Sequence, residues 1–370
     1  MRMKEKISKA AVVREFGKEL SVENIKIPDH IEPNSILVKT EVASICGTDV
    51  HLWEGSLNLK VDLPVILGHE MVGTVIKMGN HVKSDSMGNK LEIGDRIVWA
   101  HESCGNCYYC SVVKNPNLCV NRRQYMYESC EKEPFLLGGF SEYGYVLPNA
   151  GRVKVPDNVT SELASLSSCA FRSVMNAFEQ LGNIEPHQTV IIQGVGPLGL
   201  LATAVAHHAG AHQIIAIGAP YNRLELAREF GASHTFSLEE ISQEVRYKEI
   251  MSLTDHRGGD IVFEFSGNAR AFAEGLNLIG KDGRYVIVGQ LGQGEVSIQP
   301  SIITKKNIKI FGSYSGDISH YWKALNFISK NQSKYAFEKL LTSRYKLSEV
   351  TNALKDMKTM KEIKPIIEFS

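Results

Sequence analysis

The first half of the chain reads as short apolar runs cut by polar turns, and the rhythm changes near residue 160. Ser35–Lys39, Gly73–Lys77 and Arg96–Trp99 are short runs centred on apolar residues and separated by Gly, Asp and Asn, a pattern that predicts β-strands joined by tight turns. Residues 83–92 are polar and predict a surface loop, while 111–139 are turn-rich and irregular. From Thr189 onward, Val190–Ile192, Ile214–Ile217, Ile261–Phe263 and Tyr285–Val288 predict strands, and 198–209, 222–230 and 269–279 predict helices. Strands that are apolar throughout and alternate with helices predict a parallel sheet covered on both faces. After about residue 315 the pattern predicts two or three amphipathic helices and a last strand, Pro365–Phe369. No internal repeat or low-complexity tract interrupts the series.

The fold class predicted is therefore α/β: a doubly wound parallel-sheet domain joined to a mainly β domain. A length of 370 residues suits two domains better than one. The expected division gives 1–165 to the β-rich domain, with an irregular lobe at about 101–122. Residues 166–315 form the parallel-sheet domain, and 316–370 return to the first.

Composition narrows the partners. Lys+Arg and Asp+Glu are both 41, so nothing electrostatic calls for nucleic acid or an anionic membrane. The segment Met1-Arg2-Met3-Lys4-Glu5-Lys6 is charged and leads into no apolar run, which predicts no secretory signal. No window has the apolar length of a membrane span, and the expected location is the cytoplasm. The 7 cysteines are an odd and clustered set, which points to metal ligation or thiol chemistry before disulfides.

Gly194-Val195-Gly196-Pro197-Leu198-Gly199 fits the dinucleotide pattern G-x-G-x-x-G, and it lies between a predicted strand and a predicted helix. Gly194 allows the tight turn, Gly196 the approach of a pyrophosphate, and Gly199 close helix–strand packing. The helix start at Pro197 and Leu198 then offers free N–H groups to phosphate. A NAD site usually places an acid about 20 residues further on, against the ribose 2′-OH. Here the residue after the second strand is Gly218, followed by Ala219, Pro220, Tyr221, Asn222 and Arg223. Without a carboxylate nothing repels a 2′-phosphate, and Arg223 can attract one, so NADP is expected to serve at least as well as NAD. The other reading makes Arg223 a solvated residue of the first helical turn, with NAD bound in the absence of the acid.

Two cysteine and histidine sets suggest zinc. Cys104-x2-Cys107-x2-Cys110-x8-Cys119 sets four thiols at short spacing on an irregular segment, as a closed tetrahedral structural site requires. The second set is dispersed: Cys46, His69 and Cys169 supply three ligands and leave a fourth position open, as a catalytic zinc needs. Asp49 and Glu70 are then carboxylates placed to orient His69 and tune the charge near the metal.

Gly68-His69-Glu70-x2-Gly73-x5-Gly79-x2-Val82 resembles the zinc-site pattern of the medium-chain zinc-dependent alcohol dehydrogenases. The resemblance extends through Cys46-x-Thr48-Asp49-x-His51, the four-cysteine lobe, Gly139–Tyr143, the Gly-rich turn and the final strand, nearly the whole chain. It implies a GroES-like catalytic domain beside a Rossmann domain, and hydride transfer between an alcohol, or its aldehyde or ketone, and NAD(P). It also implies two zinc ions per chain, one catalytic and one structural, and a homodimer or homotetramer. By this resemblance Cys46, His69 and Cys169 hold the catalytic zinc with Glu70 beside it. Thr48 takes the substrate proton, the cofactor ribose passes it on, and His51 ends the relay to solvent. Lys364 stands where relatives carry a basic residue near the pyrophosphate.

There are departures from the family pattern. The gap before Cys119 is longer than is common, Gly218 replaces the acid, and the segment from Cys119 to Phe140 is short. Cys130 matches nothing and reads as a free thiol. Trp53, Trp99 and Phe140 either line the pocket or belong to the core. A polyol, amino-polyol or sugar-alcohol dehydrogenase would share all these motifs. A non-catalytic cofactor-binding or structural protein on the same fold would be expected to lack the zinc ligands.

Overall fold

The computed structural model describes residues 6–57, 60–289 and 294–369, so Met1–Glu5 of the charged N-terminal segment lie outside the described residues. The chain forms two compact units. One runs up to Arg172 and resumes over Gly316–Gln332 and from Phe337 on; the other comprises Ser173–Ser315 and Ser333–Ala336.

The first unit is built on β-sheet. Its larger sheet runs, edge to edge, through Leu341–Lys346, Lys364–Glu368, Ile36–Ser44, Glu70–Met78, Arg96–Glu102 and Ala150–Lys154, with Tyr143–Val146 also pairing Ile36–Ser44. Ile36–Ser44 buries seven of its nine residues and exposes Lys39 and Glu41, which point to one face by the two-residue period. The strand predicted at Gly73–Lys77 begins three residues earlier, at Glu70, because the ladder continues through the polar residues: Ser44 is paired with Glu70. On the other side Ser44 is paired with Ile366. This register brings Glu70, Ser44 and the start of the last strand together. A smaller sheet pairs Ile7–Val13 with Ser21–Lys26 and Val65–Ile66.

Trp53, Trp99 and Phe140 all belong to the core of this unit. Trp53 donates its indole N–H to the Lys18 carbonyl (2.6 Å), Trp99 packs edge-on against Tyr125, and Phe140 fills the space beside Gly68. Cys130 is buried in the same core and forms no disulfide.

The second unit is a six-stranded parallel sheet in the order His234–Ser237, Gln213–Gly218, Thr189–Gln193, Gly259–Glu264, Ile279–Ile287 and Lys309–Gly312. The order reverses between Thr189–Gln193 and Gly259–Glu264, the doubly wound arrangement in which ligands bind beyond the carboxyl ends of the strands. The predicted helices are present with ends moved by a residue: Pro197–His208, Tyr221–Glu229 and Ala269–Leu278. Two edge strands, His234–Ser237 and Lys309–Gly312, escaped the sequence reading because their mixed, half-exposed residues lack a continuous apolar run. In the C-terminal part of the first unit the helices are Ile318–Asn331 and Val350–Lys358. No helix among the described residues is long and apolar enough to cross a membrane.

Candidate functional site

The centre of the first unit is a buried set of ligand-type side chains. The donor atoms of Cys46, His69, Glu70 and Cys169 lie within 4.8 Å of one another. Cys46 caps the helix Gly47–Glu54, His69 precedes the strand Glu70–Met78, and Cys169 precedes the helix Ala170–Leu181. The two sulfurs are 3.8 Å apart. Two thiolates at about 2.3 Å from one tetrahedral zinc stand about 3.8 Å from each other, so the spacing fits.

Asp49 ties the ligand-bearing segments together. Its Oδ2 accepts the Cys46 backbone N–H (2.8 Å), and its Oδ1 accepts the Gly68 N–H (3.0 Å) and stands 3.4 Å from His69 Nδ1. Met126 Sδ lies 3.1 Å from the same nitrogen. With Nδ1 engaged, His69 keeps Nε2 for a metal. Glu70 Oε2 accepts from Ser44 Oγ (2.6 Å) and pairs with the Lys364 ammonium, whereas Oε1 is buried with no hydrogen-bond partner among the described residues. An orphaned carboxylate oxygen in a nest of thiols and imidazole suits a cation.

The electrostatics agree. Burial pushes His69 down, but the Cys169 thiolate and Asp49 lift it well above the ordinary histidine range. The hydrogen bond from Cys46 holds the Cys169 thiol well below its usual range, and that same bond, with burial, pushes Cys46 up to about 12. Burial raises the Glu70 carboxyl against the opposing pull of Lys364. The pocket thus gathers negative charge that calls for positive charge.

Lys364 lies beside Glu70. It is 1% exposed, pairs with Glu70, and donates to the Ile45 carbonyl (3.3 Å). The physical reason is register: the Ile45 N–H bonds to the Pro365 carbonyl, which lands residue 364 beside Glu70 and the cluster of ligand-type side chains. Thr48 is half-buried in the first helical turn, with Oγ1 3.8 Å from Cys46 Sγ. His51, exposed and three residues further on the same helix face, has Nδ1 3.2 Å from Ser56 Oγ.

Two residues here went unread in the sequence. Arg172, one helical turn past Cys169, is buried, donates to the Gly316 carbonyl (2.9 Å) and lies over the Tyr321 ring at 5.1 Å. It adds positive charge beside the Cys169 thiolate. His101 stacks on His69 with ring centroids 6.4 Å apart. Its Nδ1 accepts the Tyr125 backbone N–H (3.2 Å), which makes Nε2 the protonated nitrogen of the neutral ring. Their sequence signal was proximity alone: three residues after Cys169 and three before Cys104.

The second cysteine set is also assembled. The donor atoms of Cys104, Cys107, Cys110 and Cys119 lie within 4.8 Å of one another, with Cys107–Cys110 at 3.5 Å and Cys104–Cys119 at 3.4 Å. Backbone N–H groups of Cys110 and Val120 lower the Cys107 thiol to about 6, favouring the thiolate that binds metal.

In the second unit, Gly194 has φ +99° and donates its N–H to the Ile217 carbonyl (2.8 Å). A Cβ at Gly199 would stand 1.8 Å from the Gly194 carbonyl oxygen, so only glycine closes this turn. Gly196 caps the helix Pro197–His208 without a side-chain hydrogen bond, leaving its first N–H groups for an anion. Gly218 ends its strand, and Arg223 is buried in the first turn of the next helix, which excludes the solvated reading of that side chain. Glu264 was also missed: its buried carboxylate accepts the N–H groups of Ser266 (2.6 Å) and Gly267 (2.8 Å), bracing the backbone beside Gly194.

Comparison with known proteins follows the same division. Residues 32–157 match the alcohol dehydrogenase GroES-like domain, and residues 197–330 match the zinc-binding dehydrogenase family. A 5-exo-hydroxycamphor dehydrogenase from Pseudomonas putida is 32% identical over 338 residues, covering 91% of this chain and 92% of that protein. An alcohol dehydrogenase from Thermotoga maritima superposes with TM-score 0.92 at 35% identity, over 98% of this chain and 99% of the other. A protein from Sinorhizobium meliloti described as a zinc-binding dehydrogenase, crystallised with NADP, gives TM-score 0.85 at 27% identity over 99% and 100% of the two chains.

Proposed function

Because the chain belongs to the medium-chain zinc-binding alcohol dehydrogenase family, and is thus a zinc- and NAD(P)-dependent oxidoreductase of small alcohols or their carbonyl products, we propose that Cys46, His69 and Cys169 hold its catalytic zinc. The observation that carries this is the convergence of those three donors with the orphaned Glu70 oxygen. Cys104, Cys107, Cys110 and Cys119 hold a second, structural zinc. Bound zinc supplies a Lewis acid for the oxygen of the alcohol or carbonyl.

The protein's own groups do the rest. Asp49 fixes the His69 tautomer and the Cys46 backbone, and Glu70 with Lys364 sets the charge behind the ligands. Thr48 accepts the proton that leaves the substrate hydroxyl, and His51 delivers it to solvent. In the other unit the turn Gly194–Gly199 receives the pyrophosphate, with Gly218 and Arg223 at the adenosine ribose. The missing acid and the buried Arg223 favour NADP at least equally with NAD. Thiols kept as metal ligands suit a reducing compartment, the cytoplasm. The exposed apolar lobe residues Tyr108, Val112 and Val120 support a homodimer or homotetramer.

A polyhydroxy substrate is a second reading. One observation favours it: the His101 ring stacks on His69, and with its Nδ1 taken by the Tyr125 N–H it presents Nε2–H as a donor that a second substrate oxygen could meet.

Metal analysis of the purified protein is expected to give about two zinc ions per chain; a value near zero refutes both assignments. With the best substrate from a panel of alcohols, polyols and aldehydes, kcat/KM with NADP is expected to equal or exceed that with NAD. A strong preference for NAD overturns the cofactor reading. His51→Gln is expected to slow alcohol oxidation mainly at low pH, where solvent hydroxide cannot replace the relay base. An unchanged pH profile removes His51 from the relay.

A further inference from the structure

Met126 stands behind the ligand cluster, and nothing in its sequence surroundings points to metal chemistry. Its Sδ lies 3.1 Å from His69 Nδ1, closer than Asp49 Oδ1 at 3.4 Å. Hydrogen bonds from N–H to oxygen ordinarily span about 2.7–3.2 Å, and this oxygen already accepts the Gly68 N–H at 3.0 Å. The carboxylate therefore steers the Nδ1 hydrogen from the margin of bonding range, while the thioether, a weak acceptor, takes the nearer position.

The backbone shows that this placement is imposed. Met126 has φ +77°, a region that bulky residues rarely adopt, and among the described non-glycine residues with positive φ it alone is buried. Distant segments hold it there. The Met126 N–H donates to the Leu137 carbonyl (2.8 Å). Before it, the Tyr125 N–H meets His101 Nδ1 (3.2 Å), and the Tyr125 hydroxyl accepts the Leu147 N–H (3.1 Å). After it, the Tyr127 carbonyl accepts the Asp62 N–H (2.9 Å). A costly backbone conformation persists only where its surroundings over-determine it, and such residues gather at functional sites.

We propose that Met126 is a positioning residue for the metal site. Its thioether accepts the His69 Nδ1–H, which fixes the ring's tautomer and orientation and leaves Nε2 for the metal. Being uncharged, it does so without drawing the proton away as a carboxylate at that distance would, so the ring stays a neutral imidazole. The proposal rests on the reading that His69 holds zinc.

Release of zinc to a chelating dye tests it in the parent, in Met126→Leu, which keeps the bulk and removes the sulfur, and in Met126→Gln, which offers an amide oxygen at similar reach. The release phase absent from His69→Ala reports this site; the other phase, from the four-cysteine lobe, is the internal control. Met126→Leu is expected to speed the first phase roughly 10-fold, the lower end of the effect of removing an outer partner of a metal ligand, and to leave the second unchanged. Met126→Gln is expected to restore most of the parent's retention. An unchanged rate in Met126→Leu, or equal losses in both variants, overturns the proposal, since the side chain then only fills space. Should Met126→Leu not fold, the parent decides. In zinc-loaded protein carrying nitrogen-labelled histidine, the NMR signal of His69 is expected to show its proton on Nδ1, exchanging slowly with water. Metal on Nδ1, or fast exchange of that proton, overturns the proposal. A parent without the His69-dependent phase removes the zinc reading itself, whereas a parent that has it, matched by Met126→Leu, removes Met126 alone.

Discussion

Replacing His69 with alanine is expected to lower kcat/KM for alcohol oxidation by at least about 1,000-fold, because a metal contributes several kcal/mol of charge stabilisation and each 1.36 kcal/mol is tenfold in rate. Two further readings separate loss of metal from loss of fold. Zinc is expected to fall from about two ions per chain to about one. NAD(P)H binding is expected to persist, since the cofactor turn belongs to the other unit. Asp49→Asn is the graded companion. It keeps size but weakens the acceptor shared by Cys46 N, Gly68 N and His69 Nδ1, and is expected to cost roughly 10- to 100-fold in zinc affinity or activity. A His69→Ala enzyme of undiminished activity would show that the metal centre lies elsewhere.

The second large effect concerns the lobe. Between Cys104 and Val120 only Asn117 and Cys119 are buried, and Val112 and Val120 are 64% and 68% exposed. Such a segment has no apolar core to hold it, and the proposed zinc on its four thiols would take that place. Structural zinc sites contribute about 10–16 kcal/mol of apparent binding free energy, and a serine hydroxyl is a poor substitute for a thiolate. Cys107→Ser is therefore expected to release the second zinc. It should also speed limited proteolysis within 104–120 by at least about 100-fold, as a protected segment becomes locally open. Unchanged zinc content and unchanged protease resistance would remove the lobe from the metal assignment.

What could be read before the fold was known follows from where each signal is stored. Val190–Ile192 and Ile261–Phe263 are apolar throughout because both faces of a central parallel strand are covered, so they announce themselves locally. His234–Ser237, Lys309–Gly312 and Leu341–Lys346 are edge strands, and half or more of each meets solvent or its margin. Their composition consequently resembles loop. Cys46, His69 and Cys169 drew attention because cysteine and histidine are rare residue types, and their donor atoms do converge. The pairing of Lys364 with Glu70 was not legible, since it is decided by the pairing of Ile366 with Ser44, and no local pattern encodes that register. Arg172 and His101 were missed for the same reason. Each matters through what a distant segment puts next to it.

The route of the chain through the proposed metal centre bears on how the protein is made. Its groups come from Ser44–Cys46, His69–Glu70, Cys169–Arg172 and finally Lys364, whereas the parallel sheet lies wholly within Ser173–Ser315. During synthesis from the N-terminus, the sheet unit can close while the ribosome still holds the last strand. Until that strand arrives, the Glu70 carboxylate has neither its lysine counter-charge nor that side of its cover. On the proposed zinc assignment, completion of the pocket would be a late event in biogenesis, and a stalled or C-terminally nicked product would keep the parallel-sheet unit without a finished metal site.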